Sequence, residues 1–514
     1  MLVAVVIAYG YYQVSYALSI EDYISDEIWY VSSARNYLNK VFGVYPRASN
    51  LGHRVTLELV VVGRSDYVSM AQKMGEEVER LGGRIIKSSE YYGSGDNPLY
   101  AICVDVPEEA LLSIVSHQYV KGYGVGYCYP NAGNILNYMN LEHPPLGKYF
   151  VALAMVACGD RPLCWRLPSI ASGAGLLLAQ YVLLRTILRG FWGGVLSLVV
   201  PVVTTLDRTF RSMTLVAMLD APLALFTFLA FFFSIYGKVF KSSTFLSLAF
   251  TTKFSGAFAV PALYSNYSKK TSPALAILLL VYFPLAVFIV LSVPLITFKG
   301  SFFRWWSEAV EGAVRWHTAT KIEPGKGPPS ASPWDWLLGS NSFILHYKYE
   351  MGVGFVADLV ASGNPVLYVA TALLSIYIIP HVRKLPGEGK LWAYTWITWL
   401  MYVFLWLIGN KSQYSFYMIQ ITPLLYATLG TLAYYLSDVG NIRNLSRAWL
   451  EALRNLVKYL RGEVKIKLKI EVETASTEVK SSFQPVTNSS THNSEVAYYT
   501  KCKTPRVAFS SRVR

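Results

Sequence analysis

Two acidic residues stand side by side at Asp26 and Glu27, shortly after an uncharged apolar stretch that covers residues 1–20. In a soluble loop such a pair carries no message, and its plain reading is a solvated helix N-terminus. Beside a bilayer it carries more, because a carboxylate held at membrane depth is costly unless it has a partner or a task. One task is general-base catalysis, in which a carboxylate takes the proton of an attacking hydroxyl; Asp26 suits the base, with Glu27 positioning it or the acceptor. Further on, Glu142-His143-Pro144-Pro145-Leu146-Gly147-Lys148 precedes an apolar stretch too short to cross a membrane, and Trp165-Arg166-Leu167-Pro168-Ser169 opens a longer one. A planar guanidinium binds phosphate oxygens in pairs, so Arg166 suits a departing phosphate whose growing charge needs a cation. Lys148 or His143 can assist, although His143 by itself reads as a structural loop histidine.

The elements that must position these residues are membrane helices. Of 514 residues, 53% are hydrophobic and 15% charged, against about 25% charged in an average soluble domain. The excess lies in runs of about 17 to 25 residues, the length a helix needs to cross a hydrocarbon core. Spans are expected at about 1–20, 166–187, 191–207, 215–236, 274–298, 365–380, 391–408 and 416–436. A weaker stretch at 244–264, interrupted by Lys253, Gly256 and Pro261, reads as two short or re-entrant helices. Backbone irregularity of that kind belongs inside a bundle or beside a cavity. The formal charge of +14 is spread over short clusters between apolar runs and over the tail. That is the positive-inside pattern and no nucleic-acid footprint. Arg185, Arg189, Lys238, Lys241, Lys269, Lys270, Arg383 and Lys384 then face the cytoplasm, and the long connections 21–165 and 299–364 are extracytoplasmic.

The expected organisation is a first transmembrane helix at 1–20, a catalytic loop start at 21–53, an α+β insert at 54–127 and a juxtamembrane region at 128–165. A transmembrane bundle at 166–298, a second extracytoplasmic loop at 299–364 and three C-terminal transmembrane helices at 365–436 follow. A basic cytoplasmic tail at 437–514 is expected to be disordered from about 474. Within the insert, a β-branched run at 55–62, a helix at 66–81 stopped by Gly82-Gly83, strands at 84–88 and 99–104, a Pro107-led helix and a strand at 120–125 give the order βαββαβ, a ferredoxin-like split unit. In the tail, 441–460 reads as a basic amphipathic surface helix and 463–473 as an isolated strand. Five cysteines without C-x-x-C spacing argue against a zinc or redox centre. Cys103 with Cys128, and Cys158 with Cys164, can pair outside the cytoplasm; buried free thiols are the alternative.

Asp-Glu after the first span, H-P-P-L-G-K, and the arginine of W-R-L-P-S, in that order and on one side, closely resemble the first luminal loop of protein O-mannosyltransferases, members of the GT-C glycosyltransferases. Met218-Leu219-Asp220-Ala221-Pro222-Leu223 is similar to the family's L-D-x-x-L, and Lys253-Phe254-Ser255-Gly256 to its K-[FY]-[ST]-G. Trp316-His317 with Ser332-Pro333-Trp334-Asp335-Trp336 looks like its aromatic second luminal loop, and 363–367 and 417–423 look like late-span signatures. There are departures. Leu215 stands where the family has an arginine before the L-D aspartate, the second His and the Trp-Pro of that loop are missing, and neither a β-trefoil segment nor its usual pattern accounts for 54–127.

The resemblance implies a mainly α fold, a polytopic GT-C helical bundle with the ferredoxin-like insert in its first extracytoplasmic loop. It implies an inverting transfer of mannose from a dolichyl or polyprenyl phosphate donor to Ser or Thr hydroxyls of extracytoplasmic proteins, in a multi-pass protein of the lipid bilayer. It names no firm cofactor, and a divalent metal is compatible with it. Asp26 and Glu27 would be catalytic, and Arg166, Lys148, His143 and Lys253 would meet the donor phosphate; snorkelling is the bland reading of Lys253. His317, Trp334 and Trp336 would contact acceptor or sugar, or else form an interfacial belt. Asp220 is expected to pair with a bundle cation such as Arg211 or Lys253. Within the same class, the acceptor could instead be a lipid. A transporter or scaffold is the reading from another class, and no internal repeat of the kind transporters show supports it.

Overall fold

The computed structural model describes residues 2–47, 54–61, 64–89, 100–128, 135, 137–319, 330–350 and 354–462. The strand expected at 463–473 and the tail beyond it lie outside the described residues.

The chain is mostly helical. Helix α1 (Leu2–Ser19) is followed by α2 (Glu27–Asn36), whose last turn widens into a π segment, Tyr37–Phe42. Next comes the insert, with β1 (Arg54–Leu59), α3 (Arg64–Arg80), β2 (Arg84–Ser89), β3 (Ala101–Asp105), α4 (Glu108–Val115) and β4 (Val120–Val125). The first half of the bundle holds α5 (Leu146–Cys158), α6 (Pro162–Ile187), α7 (Gly190–Leu206), α8 (Arg208–Met213), α9 (Asp220–Ile235), α10 (Val239–Thr252) and α11 (Val260–Tyr267). Then α12 (Pro273–Ile277) runs through a π turn into α13 (Phe283–Lys299), followed by α14 (Phe302–Trp306), α15 (Gly312–Ala319) and α16 (Pro333–Leu338). Strands β5 (Phe343–Glu350) and β6 (Gly354–Ala361) precede α17 (Pro365–Tyr377), α18 (Lys390–Leu407), α19 (Thr422–Leu436) and α20 (Val439–Leu460).

Among the described residues three helices are long and apolar enough to cross a membrane: Leu2–Ser19, Pro162–Ile187 and Pro273–Lys299. Shorter apolar helices at Gly190–Leu206, Asp220–Ile235 and Pro365–Tyr377 pack around them. The weak stretch near 244–264 is indeed broken, into α10 and α11 joined by a 3₁₀ segment, Phe254–Ala259, that begins just after Lys253. Gly256 allows that break: a Cβ there would meet the backbone of Ala249 and Phe250 at 2.5 Å.

The insert's sheet has the order β2-β3-β1-β4, antiparallel throughout, with Val55 facing Val104 and Val125. That is the order of a split βαβ unit. One face carries Val55, Leu57, Ile102 and Val104 against Met74, Val78, Ala110 and Ile114 of the two helices. Alternation along a strand sends the next residues to the other face, and that face is not free. Ala101 and Cys103 pack with Tyr23, Ile28, Val31, Met155 and Trp165 of the main body. Arg54, 1% exposed, donates to the Glu21 carbonyl at 2.8 Å and reaches the Asp22 carboxylate at 3.4 Å and Asp105 at 2.8 Å. A disulfide joins Cys103 to Cys128, and a second joins Cys158 to Cys164. The hairpin β5–β6 was not anticipated. Its strands alternate only partly, and the register shifts on either side of His346.

Candidate active site

The backbone approaches Asp26 through Ser25, which adopts φ +49°, the left-handed region that a non-glycine residue enters only at a cost. Asp26 then occupies the N-cap position of α2, yet its side chain makes no capping hydrogen bond. An aspartate at that position ordinarily caps. The capping work falls to Glu27 instead, whose Oε2 accepts from Ile24 N at 2.8 Å. The Asp26 carboxylate is half-buried and has no hydrogen-bond partner among the described residues. Burial pushes its pKa up to about 6, with the Lys253 charge pulling it down and the Asp220 charge pushing it up. Tyr30, Tyr138, Tyr414 and Tyr417 are all close enough to feel its charge.

Lys253 ends α10, and its Nζ donates to Asp220 Oδ1 at 2.7 Å and lies 4.3 Å from the centroid of the Tyr417 ring. Of the two cations expected for Asp220, Lys253 is the one it pairs with. The pair is incompletely satisfied. Asp220 Oδ2 is buried with no partner, and so is Ser255 Oγ of the same K-F-S-G segment. Lys253 carries three N–H donors, of which the Asp220 bond uses one. Gly147 brings the segments together, since a Cβ there would meet Leu219 Cδ2 at 2.5 Å and Thr252 Cγ2 at 3.4 Å. The glycine of H-P-P-L-G-K is thus where α5 closes on the residues flanking Asp220 and Lys253.

The other charged residues are arranged differently. Glu27 and Arg166 are both fully buried and bound in a fork, Nε to Oε1 and Nη2 to Oε2, each at 2.9 Å. Glu27 Oε1 also accepts from Ala217 N at 2.8 Å. Arg166 Nη1 donates to the carbonyls of Ala17 at 3.0 Å and Ile20 at 2.7 Å, and Nη2 to that of Asp22 at 2.5 Å. All five guanidinium donors and all four carboxylate acceptor positions are therefore filled. The role given above to Arg166, binding a departing phosphate, does not fit this geometry, because no donor is left. Nor does a direct part in chemistry for Glu27. The pair closes the C-terminal end of α1, whose last carbonyls lack helical partners, and holds the loop that presents Asp26.

Lys148 is likewise committed. It is fully buried; its Nζ donates to the carbonyl of Asn140, to Asn140 Oδ1 at 3.3 Å and to the carbonyl of His143 at 2.8 Å. It latches the turn in which Asn140 is left-handed, φ +47°, so it too is a strut where a phosphate ligand was expected. His143 is half-buried with its ring 5.7 Å from that of Tyr30, which places it beside the residue one turn after Asp26. Trp336 is buried behind the site, with its ring 6.4 Å from Tyr417 and its Nε1 donating to Ala331 O at 3.1 Å. Trp334 points elsewhere, half exposed and 5.9 Å from Trp406. His317 lies on α15, and its side chain is outside the described residues.

Sequence reasoning missed Arg35 and Asp160, a forked ion pair at 2.5 and 2.9 Å that also engages Tyr23 and Trp165. It missed Asp207 as well, which accepts from Phe210 N, Asn364 N and Tyr426 Oη. Both tie segments distant in sequence, and no local pattern signals them. One group of metal-ligating atoms converges among the described residues, Asp22 with Cys103 and Cys128. It does not fit an ion, because the sulfurs are bonded to each other and Asp22 already accepts from Tyr23 N and Cys128 N.

No family model and no curated protein matches the chain. Among solved structures it is similar to ArnT from Cupriavidus metallidurans bound to undecaprenyl phosphate, at 12% identity and a TM-score of 0.41, over 57% of this chain and 50% of that one. The apo state of the same protein gives 14%, 0.37, 57% and 49%. The chain thus spans about half the length of the solved chains it matches. At those values neither fold nor activity transfers between them.

Proposed function

We propose that this protein is a membrane glycosyltransferase of the GT-C type that takes a sugar from a polyprenyl phosphate carrier, with Asp26 as the general base. The observation that carries the reading is the contrast around Asp26. It is a half-buried carboxylate without a partner, its pKa raised to about 6, close to the value at which a base is both deprotonated near neutral pH and able to accept a proton. In the proposed step the acceptor hydroxyl oxygen bonds to the anomeric carbon, the bond from that carbon to the phosphate oxygen breaks, and its electron pair leaves with the phosphate. Asp26 takes the hydroxyl proton. Lys253, with two N–H donors beyond its bond to Asp220, stabilises the charge gathering on the phosphate, and Asp220 Oδ2 is the open acceptor for a sugar hydroxyl. The motifs that resemble protein O-mannosyltransferases favour mannose as the sugar and a Ser or Thr hydroxyl as the acceptor.

The test is transfer. Full-length protein in lipid nanodiscs is given polyprenyl phosphate mannose labelled in the sugar, together with a Ser/Thr-rich peptide and a lipid fraction. Label in the peptide, with inverted anomeric configuration, is the expected result. Label only in the lipid fraction would replace the protein acceptor by a lipid one, and no Asp26-dependent transfer from any polyprenyl phosphate sugar would refute the reading.

A further inference from the structure

Away from the Asp26 cluster, a cavity of about 130 Å³ opens between α1, α8 and β6. It is far larger than the roughly 10–15 Å³ that one water needs. Tyr12 and Tyr16 line it from α1, Arg208 and Arg211 from α8, and Asp358 from β6. Neither guanidinium has a hydrogen-bond or ion-pair partner among the described residues, and Arg211 lies 5.9 Å from the centroid of the Tyr12 ring. The one carboxylate in the wall is already occupied. Asp358 accepts from Tyr16 Oη and from Leu359 N at 3.0 Å, and is paired with His346 Nδ1 at 2.8 Å. Behind Arg211 the floor is fixed, because Gln13 Nε2 donates to the Arg211 carbonyl at 3.0 Å and to Thr214 Oγ1 at 3.1 Å.

Two unpaired guanidiniums facing one saturated carboxylate leave the cavity short of negative charge, and guanidinium is the side chain best matched to phosphate oxygens. The cavity also borders an apolar surface. Residues 4, 8 and 12 share one face of α1, and Ala4, Ala8 and Tyr12 are all exposed there, beside Ile7 and Tyr11. A soluble anion has no use for such a strip; an acyl or prenyl chain does. We propose that this cavity binds the phosphate of a lipid, with Arg208 and Arg211 as its ligands, the Tyr12 ring as one wall and the tail lying along α1. The lipid is either a polyprenyl phosphate or an ordinary phospholipid, which present the same phosphate oxygens. This inference stands apart from the transfer reading.

The experiment uses full-length protein in nanodiscs and three photoreactive lipids that carry a diazirine close to the head: a polyprenyl phosphate, a phosphatidic acid and a diacylglycerol without phosphate. After illumination, labelled peptides are mapped by mass spectrometry. Phosphate lipids are expected to label peptides containing Tyr12–Tyr16 or Arg208–Leu215 well above the diacylglycerol, and that labelling is expected to fall about tenfold in the R208Q/R211Q double variant, the loss of charge-assisted hydrogen bonds. Labelling by both phosphate lipids supports a general lipid-phosphate site, and labelling by the polyprenyl phosphate alone a carrier-specific one. Should the double variant fail to fold, the wild-type map still decides: labelling of these segments no stronger than that by the diacylglycerol overturns the proposal, as does full labelling of a folded double variant.

Discussion

Replacing Arg166 separates a strut from a phosphate ligand. In Arg166→Met the side chain keeps an apolar stem of similar reach but loses all five donors. Glu27, fully buried, keeps only the amides of Ile24 and Ala217, and the carbonyls of Ala17, Ile20 and Asp22 lose theirs. Removing one partner of a buried ion pair costs about 3–5 kcal/mol, against a total of about 5–15 kcal/mol for a folded domain. The orphaned carbonyls place this site in the upper part of that range. Adding Glu27→Gln removes the stranded charge, so E27Q/R166M is expected to regain about half of the loss, and the two substitutions will be strongly non-additive. Equilibrium unfolding of the detergent-solubilised protein, followed by tryptophan fluorescence, reads the cycle. If Arg166→Met unfolds within about 1 kcal/mol of wild type while its Kd for a polyprenyl phosphate sugar rises tenfold or more, Arg166 faces the donor and the strut assignment is wrong.

Asp26→Asn is expected to lower turnover by about 10² to 10⁴ fold while leaving the protein at least as stable as wild type at pH 7.5, because the asparagine removes a poorly solvated charge; retention of a third of the activity would sink the base assignment. Since the base must be deprotonated and its pKa is raised to about 6, kcat/KM is expected to climb about tenfold per pH unit below that value and level off above it; a flat profile between pH 5 and 7 contradicts the role. Lys253→Met is expected to weaken donor binding and to destabilise the protein by stranding Asp220, and the second change Asp220→Asn to restore stability but not affinity, as measured by unfolding and by donor titration. Arg54→Met is expected to leave the insert folded, since its helix-facing core lies on the other side of the sheet, while amide exchange speeds up at 21–23 and 126–128; unchanged exchange there would mean that Arg54 does not clamp the insert to the body.

The helices and the six insert elements were legible because their signals are local: apolar run length, 3.6 periodicity, Gly82-Gly83 as a stop and Pro107 as a start. The β5–β6 hairpin was not, since its register shifts spoil the alternation that marks a strand. The insert's docking was hidden for another reason. Thr56, Ala101 and Cys103 read as the solvent side of a half-buried sheet, and only the tertiary structure sets that side against Trp165 and Ile28. Asp26, Asp220 and Lys253 could be picked out by type and motif, and the structure brings them within reach of one another. What the sequence could not do was rank the charges.

That ranking depends on how many donors and acceptors each group has already spent, which is a property of three dimensions alone. Arg166 and Lys148 are arginine and lysine in motifs as suggestive as that of Lys253, yet every one of their donors is bound to protein. Folding favours such completion, because an unmatched polar atom in the interior costs about 1–3 kcal/mol. A region where several are left unmatched is therefore kept at the expense of stability, which is where function is to be sought. Around Asp26 the bare carboxylate, the open oxygen of Asp220, the spare donors of Lys253 and the unbonded hydroxyl of Ser255 gather within three sequence motifs. The saturated Glu27–Arg166 pair next to them has the opposite task, holding rigid the left-handed turn at Ser25 so that those unmatched groups stay apart until a substrate joins them.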